Sequence, residues 1–432
     1  MKILIDSCTY NCQNAGDLAM FTVAVSRLRE LWPGASIDVI TNAPELIGRH
    51  AGPMTPVPVR GRRLLLEEQL LGPARRWLPE AVRRRWDRFE SGLRLNQPGL
   101  FQQSLRMKAR FSGRDTRDVR AFLDAVGRAN LLVVNGAGIL TDAFKDSALG
   151  ILATLDLVSR RQVPTALLGH GLGPIEDPEL WQRAAEVLPR VSRIGIREAR
   201  TSPRLLAELG VPAANVRVTG DDAIELAYAR RRPAQPSRRQ CIGINVRVAS
   251  YARVDRDLLA SLKQAFSESA HRLGASLVPV PIAHHGGGMD VETLRELLGP
   301  ESDGGASLTT PAQVIDQVGA CRVVVTGSYH GAVFALAQGI PVVALARSPY
   351  YVNKMAGVAE QFGPGCEIVR LDAAPGELVP QLTTAIDRAW RSADAVREPL
   401  LAAAADQIDR GRRAYADLRA LVDTAKRPLR AA

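Results

Sequence analysis

The stretch from residue 323 to residue 345 constrains the fold of this chain more than any other. It begins with four β-branched residues, Val323–Thr326, a composition typical of a buried strand in a parallel sheet. A short turn leads into the helix-forming run 332–338, and a second apolar run follows at residues 342–345. A strand, a helix and a second strand in this order predict a parallel sheet that binds ligands at the carboxyl ends of its strands. The turn places His330 at such an end, where helix N-termini attract anions and an imidazole would serve as acid or base.

The same alternation of short apolar runs with helical segments extends through both halves of the chain. The other predicted strands cover residues 3–6, 36–40, 131–135, 165–169, 194–196, 216–219, 241–246 and 276–282. A polar, proline-bearing stretch at 230–239 predicts a linker, and a length of 432 residues favours two domains. We therefore expect a Rossmann-like domain over residues 1–230, a second over residues 240–395 that carries His330, and a last helix over residues 396–432 that packs back on the first domain. Two doubly wound α/β domains then face each other across a cleft.

The net charge of +11 is concentrated in one region. Residues 60–120 contain 16 basic and 7 acidic residues, a net charge of +9, in helical stretches separated by Gly and Pro. We expect this region to form an insertion or lid on the first domain. Its charge indicates either solvated arginine-rich helix faces or a surface for an anionic partner, such as a membrane leaflet or a lipid-pyrophosphate-linked glycan. No nucleic-acid-binding module accompanies the charge, so nucleic acid is not an expected partner.

Composition favours a protein of the cytoplasm. No apolar run approaches the roughly 18 residues of a membrane span, and the first residues are typical of a strand rather than of a signal peptide. The five cysteines are scattered, as reduced thiols are, and Cys8 and Cys12 have no further Cys or His in the local sequence to complete a zinc site. We therefore predict no metal or other cofactor, and a cytoplasmic location that includes the inner membrane surface if the basic region binds lipid.

The candidate site residues are those that follow predicted strands. They are Asn14, Gly16, Asp17, Gly136, Gly138, Asp142, His170, Arg197, Asp221 and Asp222 in the first domain, and Arg247, His285, Ser328, Tyr329, His330 and Lys354 in the second. Arginines and a lysine that converge with a histidine indicate an anionic substrate, because guanidinium and ammonium groups bind carboxylate and phosphate. Several of these residues have an alternative structural interpretation: Asp17 suits the first turn of a helix, and the glycines suit tight turns.

The order of these motifs resembles that of the polysaccharide pyruvyl transferase family. The matching elements are Asn-x-Gly-Asp at residues 14–17, Asn-Gly-Ala-Gly at 135–138 with a later Asp142, Gly-His-Gly-Leu-Gly-Pro at 169–174, Arg-Glu-x-x-x-Ser at 197–202, Thr-Gly-Asp-Asp at 219–222, and Tyr-His-Gly-x-x-Phe-Ala-Leu-x-x-Gly-Ile-Pro at 329–341 with a later Lys354. The similarity extends over residues 1–357, apart from the basic region.

The resemblance implies a GT-B-like fold and transfer of the pyruvyl group of phosphoenolpyruvate onto two hydroxyls of a sugar, giving a ketal. The acceptor would be a cell-surface polysaccharide or its lipid- or nucleotide-linked precursor. By this analogy His330 is the general acid that protonates the enol methylene, Arg197 and Lys354 hold the phosphate and carboxylate, and Arg247 is a further anion contact. Many family members have an arginine where this chain has Ser328, and Arg347 is another possible source of that charge.

Two other functions remain alternatives on the sequence alone. A GT-B nucleotide-sugar glycosyltransferase would need a carboxylate for the donor ribose near the position of Phe334, which offers no acceptor group. A non-catalytic glycan-binding protein of the same fold is consistent with Ser328, whereas the presence of Arg197, His330 and Lys354 opposes it.

Overall fold

The chain folds around two parallel β-sheets in a computed structural model that describes residues 1–112, 115–233, 240–246, 256–284, 290–373 and 375–425. The first lobe is built on β1 (Lys2–Asp6), β2 (Ser36–Thr41), β3 (Thr55–Pro58), β4 (Leu131–Val134), β5 (Thr165–His170), β6 (Arg193–Ile196) and β7 (Val216–Val218). The second lobe is built on β8 (Cys241–Asn245), β9 (Ser276–Pro279), β10 (Val323–Thr326), β11 (Val342–Ala346) and β12 (Cys366–Arg370). The strand pairs are parallel in both sheets, which confirms the predicted α/β architecture.

Helices connect the strands and cover both faces of the sheets. They are α1 (Ala15–Leu31), α2 (Pro44–Ala51), α3 (Val59–Glu67), α4 (Glu80–Asn96), α5 (Pro98–Ser112), α6 (Arg117–Arg128), α7 (Lys145–Ser159), α8 (Pro178–Val187), α9 (Ser202–Glu208), α10 (Ala223–Ala229), α11 (Arg256–Leu273), α12 (Asp290–Leu298), α13 (Pro311–Gly319), α14 (Tyr329–Leu336), α15 (Pro349–Phe362) and α16 (Pro375–Ala425). Because both faces are covered, every residue of the central strands β4 and β10 is buried, which explains their uninterrupted apolar sequences.

The strand order creates one crevice in each sheet. The order β3-β2-β1-β4-β5-β6-β7 reverses direction between β1 and β4, and the order β12-β11-β10-β8-β9 reverses between β8 and β10. Ligands of open parallel sheets bind outside the carboxyl ends of the strands at such a reversal. Gly16 follows β1 and His330 follows β10, so the two residues lie at the two reversals.

The basic region forms helices α3 to α6 between β3 and β4, and part of it belongs to the core of the first lobe. Leu65, Phe101 and Phe122 are fully buried in that core. Arg62 on α3 is also buried, and its Nη1 lies 2.7 Å from Oδ2 of Asp6 at the end of β1. The helices therefore pack on the first sheet instead of standing apart from it.

The chain ends in α16, a helix of 51 residues with Pro380 and Pro399 inside it. An interruption was expected before the last helix, which the sequence pattern predicts from residue 396, but α16 runs through that position without a break. Residues on both sides of the expected interruption are anchored: Ile386 packs in the second lobe, and Leu418 packs in the core of the first. No helix among the described residues combines the length and the apolar sequence that crossing a bilayer requires.

Candidate active site

His330 enters the site from the first turn of α14 and packs on Gly16, at the start of α1 in the opposite lobe. A β-carbon at Gly16 would lie 2.5 Å from His330 Cβ and closer still to the ring atoms Cγ and Nδ1, so only a glycine leaves room for the imidazole. The backbone fixes this approach, because Ala15 N donates a hydrogen bond to the carbonyl oxygen of Ile282 at 2.8 Å. His330 is 7% exposed. Because it contacts Gly16 of the opposite lobe, its imidazole is buried where the two lobes meet.

Asp221 lies behind the imidazole and pairs with both charged neighbours. Its Oδ2 is 3.6 Å from His330 Nε2 and 3.5 Å from Nη1 of Arg197, and its Oδ1 accepts a hydrogen bond from Ala223 N. Burial alone would raise the pKa of Asp221, but His330 and Arg197 outweigh it and hold the pKa below its usual value. The carboxylate of Asp221 is therefore ionised at neutral pH.

Two buried polar atoms of this pair form ionic contacts but no hydrogen bond. Among the described residues, Oδ2 of Asp221 and Nε2 of His330 have no hydrogen-bond partner, since 3.6 Å is too long for one. Buried polar atoms are nearly always hydrogen-bonded in folded proteins. An unpartnered donor at this position indicates a place for a substrate.

Arg197 and Lys354 reach the same point from the two lobes. Arg197 follows β6, and its guanidinium carbon lies 3.9 Å from the ring centroid of Tyr329. Lys354 on α15 places its ammonium 5.3 Å from the same ring and 5.4 Å from the ring of Tyr350. A β-carbon at Gly138 would lie 2.9 Å from Arg197 Nη2 and 3.5 Å from Lys354 Nζ. Two cations that contact the same aromatic ring thus converge on Gly138, in the loop after β4.

The loop after β6 is locked to the second lobe, which fixes Arg197. The side-chain amide of Gln361 donates to the carbonyl oxygen of Arg197, and Arg200 forms an ion pair with Glu360. Glu198 acts within the loop, where its carboxylate accepts hydrogen bonds from the backbone N–H groups of the two residues that start α9. The Arg-Glu-x-x-x-Ser pattern therefore combines a site cation with a structural cap.

Other predicted residues border the site. Asn14 is the N-cap of α1, where its Oδ1 accepts a hydrogen bond from Gly16 N at 2.9 Å, and Asp17 lies in the first turn of the same helix. The negative charge of Asp17 contributes to the raised pKa of Arg197. Ser328 is buried at the N-cap of α14, and Tyr329 supplies the ring between the two cations.

Four predicted residues lie away from the imidazole. Gly136 packs on the backbone carbonyls of residues 168 and 169, and Asp142 accepts hydrogen bonds from the backbone N–H groups of residues 176 and 177. His170 is fully buried, its Nε2 is 3.3 Å from Val134 O, and burial lowers its pKa to about 4, so it is neutral. Asp222 is buried against Arg27 and Tyr415, each at 2.6 Å. The predictions for Arg247 and His285 concern residues outside the described ranges.

Sequence analysis did not establish two features of the site. The prediction assigned substrate binding to Asp222, whereas Asp221 faces the histidine, because neighbouring side chains differ in direction and only the fold sets it. It also did not select Tyr350, although Tyr350 and Lys354 are four residues apart and so share one side of a helix. Among the described residues, no cluster of three or more His, Cys, Asp or Glu side chains could hold a metal ion.

A cavity of about 890 Å³ lies in the first lobe, between α3 and α4 on one side and α7 and α8 on the other. Tyr10, on the loop that connects β1 to the start of α1, forms part of its wall. Its lining includes the charged and amide side chains of Arg63, Glu67, Arg94, Asp146, Glu179, Gln182, Arg183 and Glu186. This mixed lining offers both hydrogen-bond donors and acceptors.

Solved structures with the same architecture show which fold positions this site. The chain is similar to a putative UDP-N-acetylglucosamine 2-epimerase from Listeria monocytogenes, with a TM-score of 0.55 and 12% identity over 99% of this chain and 98% of that one. It is similar to a glycosyltransferase from Rickettsia africae (TM-score 0.56, 11% identity, 98% of each chain) and to UDP-GlcNAc 2-epimerase from Methanocaldococcus jannaschii (TM-score 0.56, 10% identity, 97% and 99%). At such low identities the likeness establishes the fold alone, which is the GT-B arrangement of two Rossmann-like lobes.

Sequence similarity identifies the family of the chain. No curated protein was similar enough to count as a relative. The family model described as polysaccharide pyruvyl transferase matches residues 14–349, which is most of the chain. The matched range contains Gly16, Arg197, Asp221 and His330, and it ends shortly before Lys354. The chain therefore belongs to the polysaccharide pyruvyl transferase family.

Proposed function

We propose that this protein transfers the pyruvyl group of phosphoenolpyruvate onto two hydroxyl groups of a sugar, forming a ketal and releasing phosphate. The observation that carries the proposal is the junction of the lobes, where His330 lies 3.6 Å from Asp221 and Asp221 lies 3.5 Å from Arg197. A proton donor, its counter-ion and cations from both lobes meet there. Such a set suits a small donor that carries both a phosphate and a carboxylate.

In the proposed complex, Arg197 and Lys354 bind the two anionic groups of the donor. Arg197 is almost fully buried, so its charge acts in a medium of low polarity, where an ionic interaction is stronger than in water. Both cations contact the ring of Tyr329, which places them close enough to bind one small donor. Ser328 stands where many family members have an arginine, so in this chain the donor would depend on Arg197 and Lys354.

The chemical step starts with proton transfer from His330 to the methylene carbon of the donor. The π electrons of the C=C bond form the new C–H bond, and positive charge develops on the central carbon. The first sugar hydroxyl adds to that carbon and returns a proton to the imidazole. The C–O bond to phosphate then breaks, and the second hydroxyl closes the ketal. One hydroxyl proton thus ends in the methyl group and the other leaves with the phosphate, so the reaction needs no oxidant or reductant.

We assign the acceptor glycan to the cavity in the first lobe. Its carboxylate, guanidinium and amide groups match the donors and acceptors of sugar hydroxyls, and Tyr10 in its wall lies on the loop that leads into α1, where Gly16 contacts the imidazole. The acceptor class would be a cell-surface polysaccharide or its lipid- or nucleotide-linked precursor. We place the reaction in the cytoplasm, where phosphoenolpyruvate is made.

A nucleotide-sugar glycosyltransferase is the alternative that the fold favours, because the similar structures include a glycosyltransferase. A donor ribose would need a carboxylate on the helix after the Gly-rich turn, where this chain has the fully buried Phe334. That position offers no hydrogen-bond acceptor to a ribose.

The test is incubation with phosphoenolpyruvate and a panel of nucleotide- and lipid-linked sugars, followed by mass spectrometry and measurement of released phosphate. We expect one pyruvyl ketal for each phosphate, and no ketal with His330→Asn or with a comparably folded Asp221→Asn. Transfer of a sugar from a nucleotide without phosphoenolpyruvate would support the alternative instead. Full activity in His330→Asn would exclude the acid role.

A further inference from the structure

We propose that the interfacial segment, residues 72–108, binds the surface of an anionic phospholipid bilayer. Of the six large hydrophobic side chains that the described residues expose, five lie in this segment: Trp77, Val82, Phe89, Leu100 and Met107. Trp77 is 86% exposed and Met107 is 63% exposed. Single exposed apolar residues are normal, but their concentration in one segment indicates a surface that meets an apolar phase.

On α4 the exposed apolar residues form a stripe. Val82 and Phe89 are seven residues apart and therefore lie on the same side of the helix. Trp86, four residues after Val82, extends this stripe, and its ring centroid lies 5.6 Å from that of Phe89. Arg85, which is also exposed, lies on the same side. Helices that lie in the membrane interface bury aromatic and aliphatic side chains at the acyl boundary while their arginines reach the anionic headgroups.

On α5 the pattern has two sides. Phe101 and Leu105 are buried in the core of the first lobe and hold the helix in place. Leu100 and Met107, again seven residues apart, are exposed on the other side. The exposed apolar side of α5 is therefore not needed to hold the helix on the core.

The charge of the segment matches an anionic partner. It contains nine basic and three acidic residues, a net charge of +6. Arg75, Arg84 and Arg94 form ion pairs with the three acids of the segment. Within the described part of the chain, four exposed arginines of the segment form no ion pair: Arg76, Arg85, Arg88 and Arg106. Guanidinium groups bind phosphate oxygens in pairs, as lipid headgroups present them.

A bilayer is the occupant that accounts for both features. A second copy of this chain would bring four unpaired arginines against four others, which is unfavourable. A nucleic acid would use the charge and the aromatic rings, since bases stack on them, but would leave the aliphatic Val82, Leu100 and Met107 without a role. Anionic lipid supplies phosphate to the arginines and hydrocarbon to the apolar side chains.

The test is flotation of the full chain with phosphatidylcholine vesicles, with and without phosphatidylglycerol, at low and high salt. We expect binding that requires phosphatidylglycerol and weakens with salt. Replacing Arg76, Arg85, Arg88 and Arg106 by Ser should lower partitioning by about 100-fold or more, and Trp77→Ser with Phe89→Ser by about tenfold or more. The matched control replaces four exposed arginines elsewhere, Arg161, Arg217, Arg413 and Arg419, by Ser, which removes the same charge and should change partitioning much less.

Three results would overturn the proposal. The wild-type chain does not bind phosphatidylglycerol vesicles, or the segment variant and its control lose equal amounts of vesicle binding. The third is that an oligonucleotide at the same phosphate concentration displaces the chain from the vesicles. Circular dichroism and thermal melts show that each variant is folded. The measurement involves no phosphoenolpyruvate, so its failure and the failure of the proposed pyruvyl transfer are distinguishable.

Discussion

Gly16→Ala should inactivate the protein while leaving it folded, because the added methyl group displaces the imidazole. Ordinary contacts of a β-carbon begin at 3.4 Å, and at Gly16 it would lie 2.5 Å from His330 Cβ, so the two must separate by at least 0.9 Å. Rotation of the ring cannot relieve a contact with Cβ, so α1 or α14 must shift. Misplacing a reacting group by about 1 Å costs on the order of 100-fold in rate, or about 2.7 kcal/mol of transition-state stabilisation.

The assay is phosphoenolpyruvate-dependent phosphate release, with urea unfolding measured on the same preparations. Gly48→Ala is the matched control, because nothing lies within 4 Å of a β-carbon at that helical position. The control should keep full activity and gain about 0.5–1 kcal/mol of stability from helix propensity. A folded Gly16→Ala protein with activity within about threefold of wild type would refute the packing argument and the acid role of His330.

Three further predictions concern the surroundings of the site, each measured by urea unfolding. The pKa of His170 is about 4 in the folded chain and 6.5 when unfolded, so the free energy of unfolding decreases as pH falls below 6.5. Between pH 7.5 and pH 5, wild type should lose about 2 kcal/mol more than His170→Gln. Parallel plots of unfolding free energy against pH for the two proteins would show that His170 titrates normally. Arg62→Met should lower the free energy of unfolding by about 3–5 kcal/mol because it leaves a buried aspartate unpaired. Arg63→Met breaks an exposed pair and should lower it by less than about 1 kcal/mol. Equal losses in the two variants would contradict this. Tyr415→Phe should cost about 1–3 kcal/mol by removing a buried hydrogen bond to Asp222, and an unchanged midpoint would mean that this contact does not stabilise α16 on the first lobe.

The central strands were predictable because burial on both faces leaves a clear pattern in the sequence. The run Val323–Thr326 is entirely buried, and no other arrangement explains four β-branched residues before a Gly-rich turn. The edge strands β3 and β12 were missed. The sequence of β3, Thr-Pro-Val-Pro, contains two prolines that cannot donate to a ladder, which is tolerated only because the strand has a single neighbour.

The positions of His330 and Arg197 at strand ends were predictable, but the pairings within the candidate site were not. A histidine after β10 and an arginine after β6 follow from strand ends, since parallel strands deliver their loops to one edge. The contact between Gly16 and the imidazole depends on how the two lobes approach each other. The two residues are more than 300 positions apart in the sequence, so no local pattern encodes this contact. The same is true of Asp222, whose partner Tyr415 comes from the last helix.

The most direct test of the account is calorimetric titration of phosphoenolpyruvate into the wild-type chain, His330→Asn and Lys354→Met, each with and without an acceptor sugar. Lys354 is half-buried on the surface of α15, so its replacement should not disturb the fold. We predict saturable binding to the wild type, binding within about threefold in His330→Asn, and at least about tenfold weaker binding in Lys354→Met, since one charge-assisted contact with an anion contributes roughly 1.5–3 kcal/mol. Absence of binding to the wild type, or equal affinity in Lys354→Met, would contradict the claim that the junction of the lobes holds this donor.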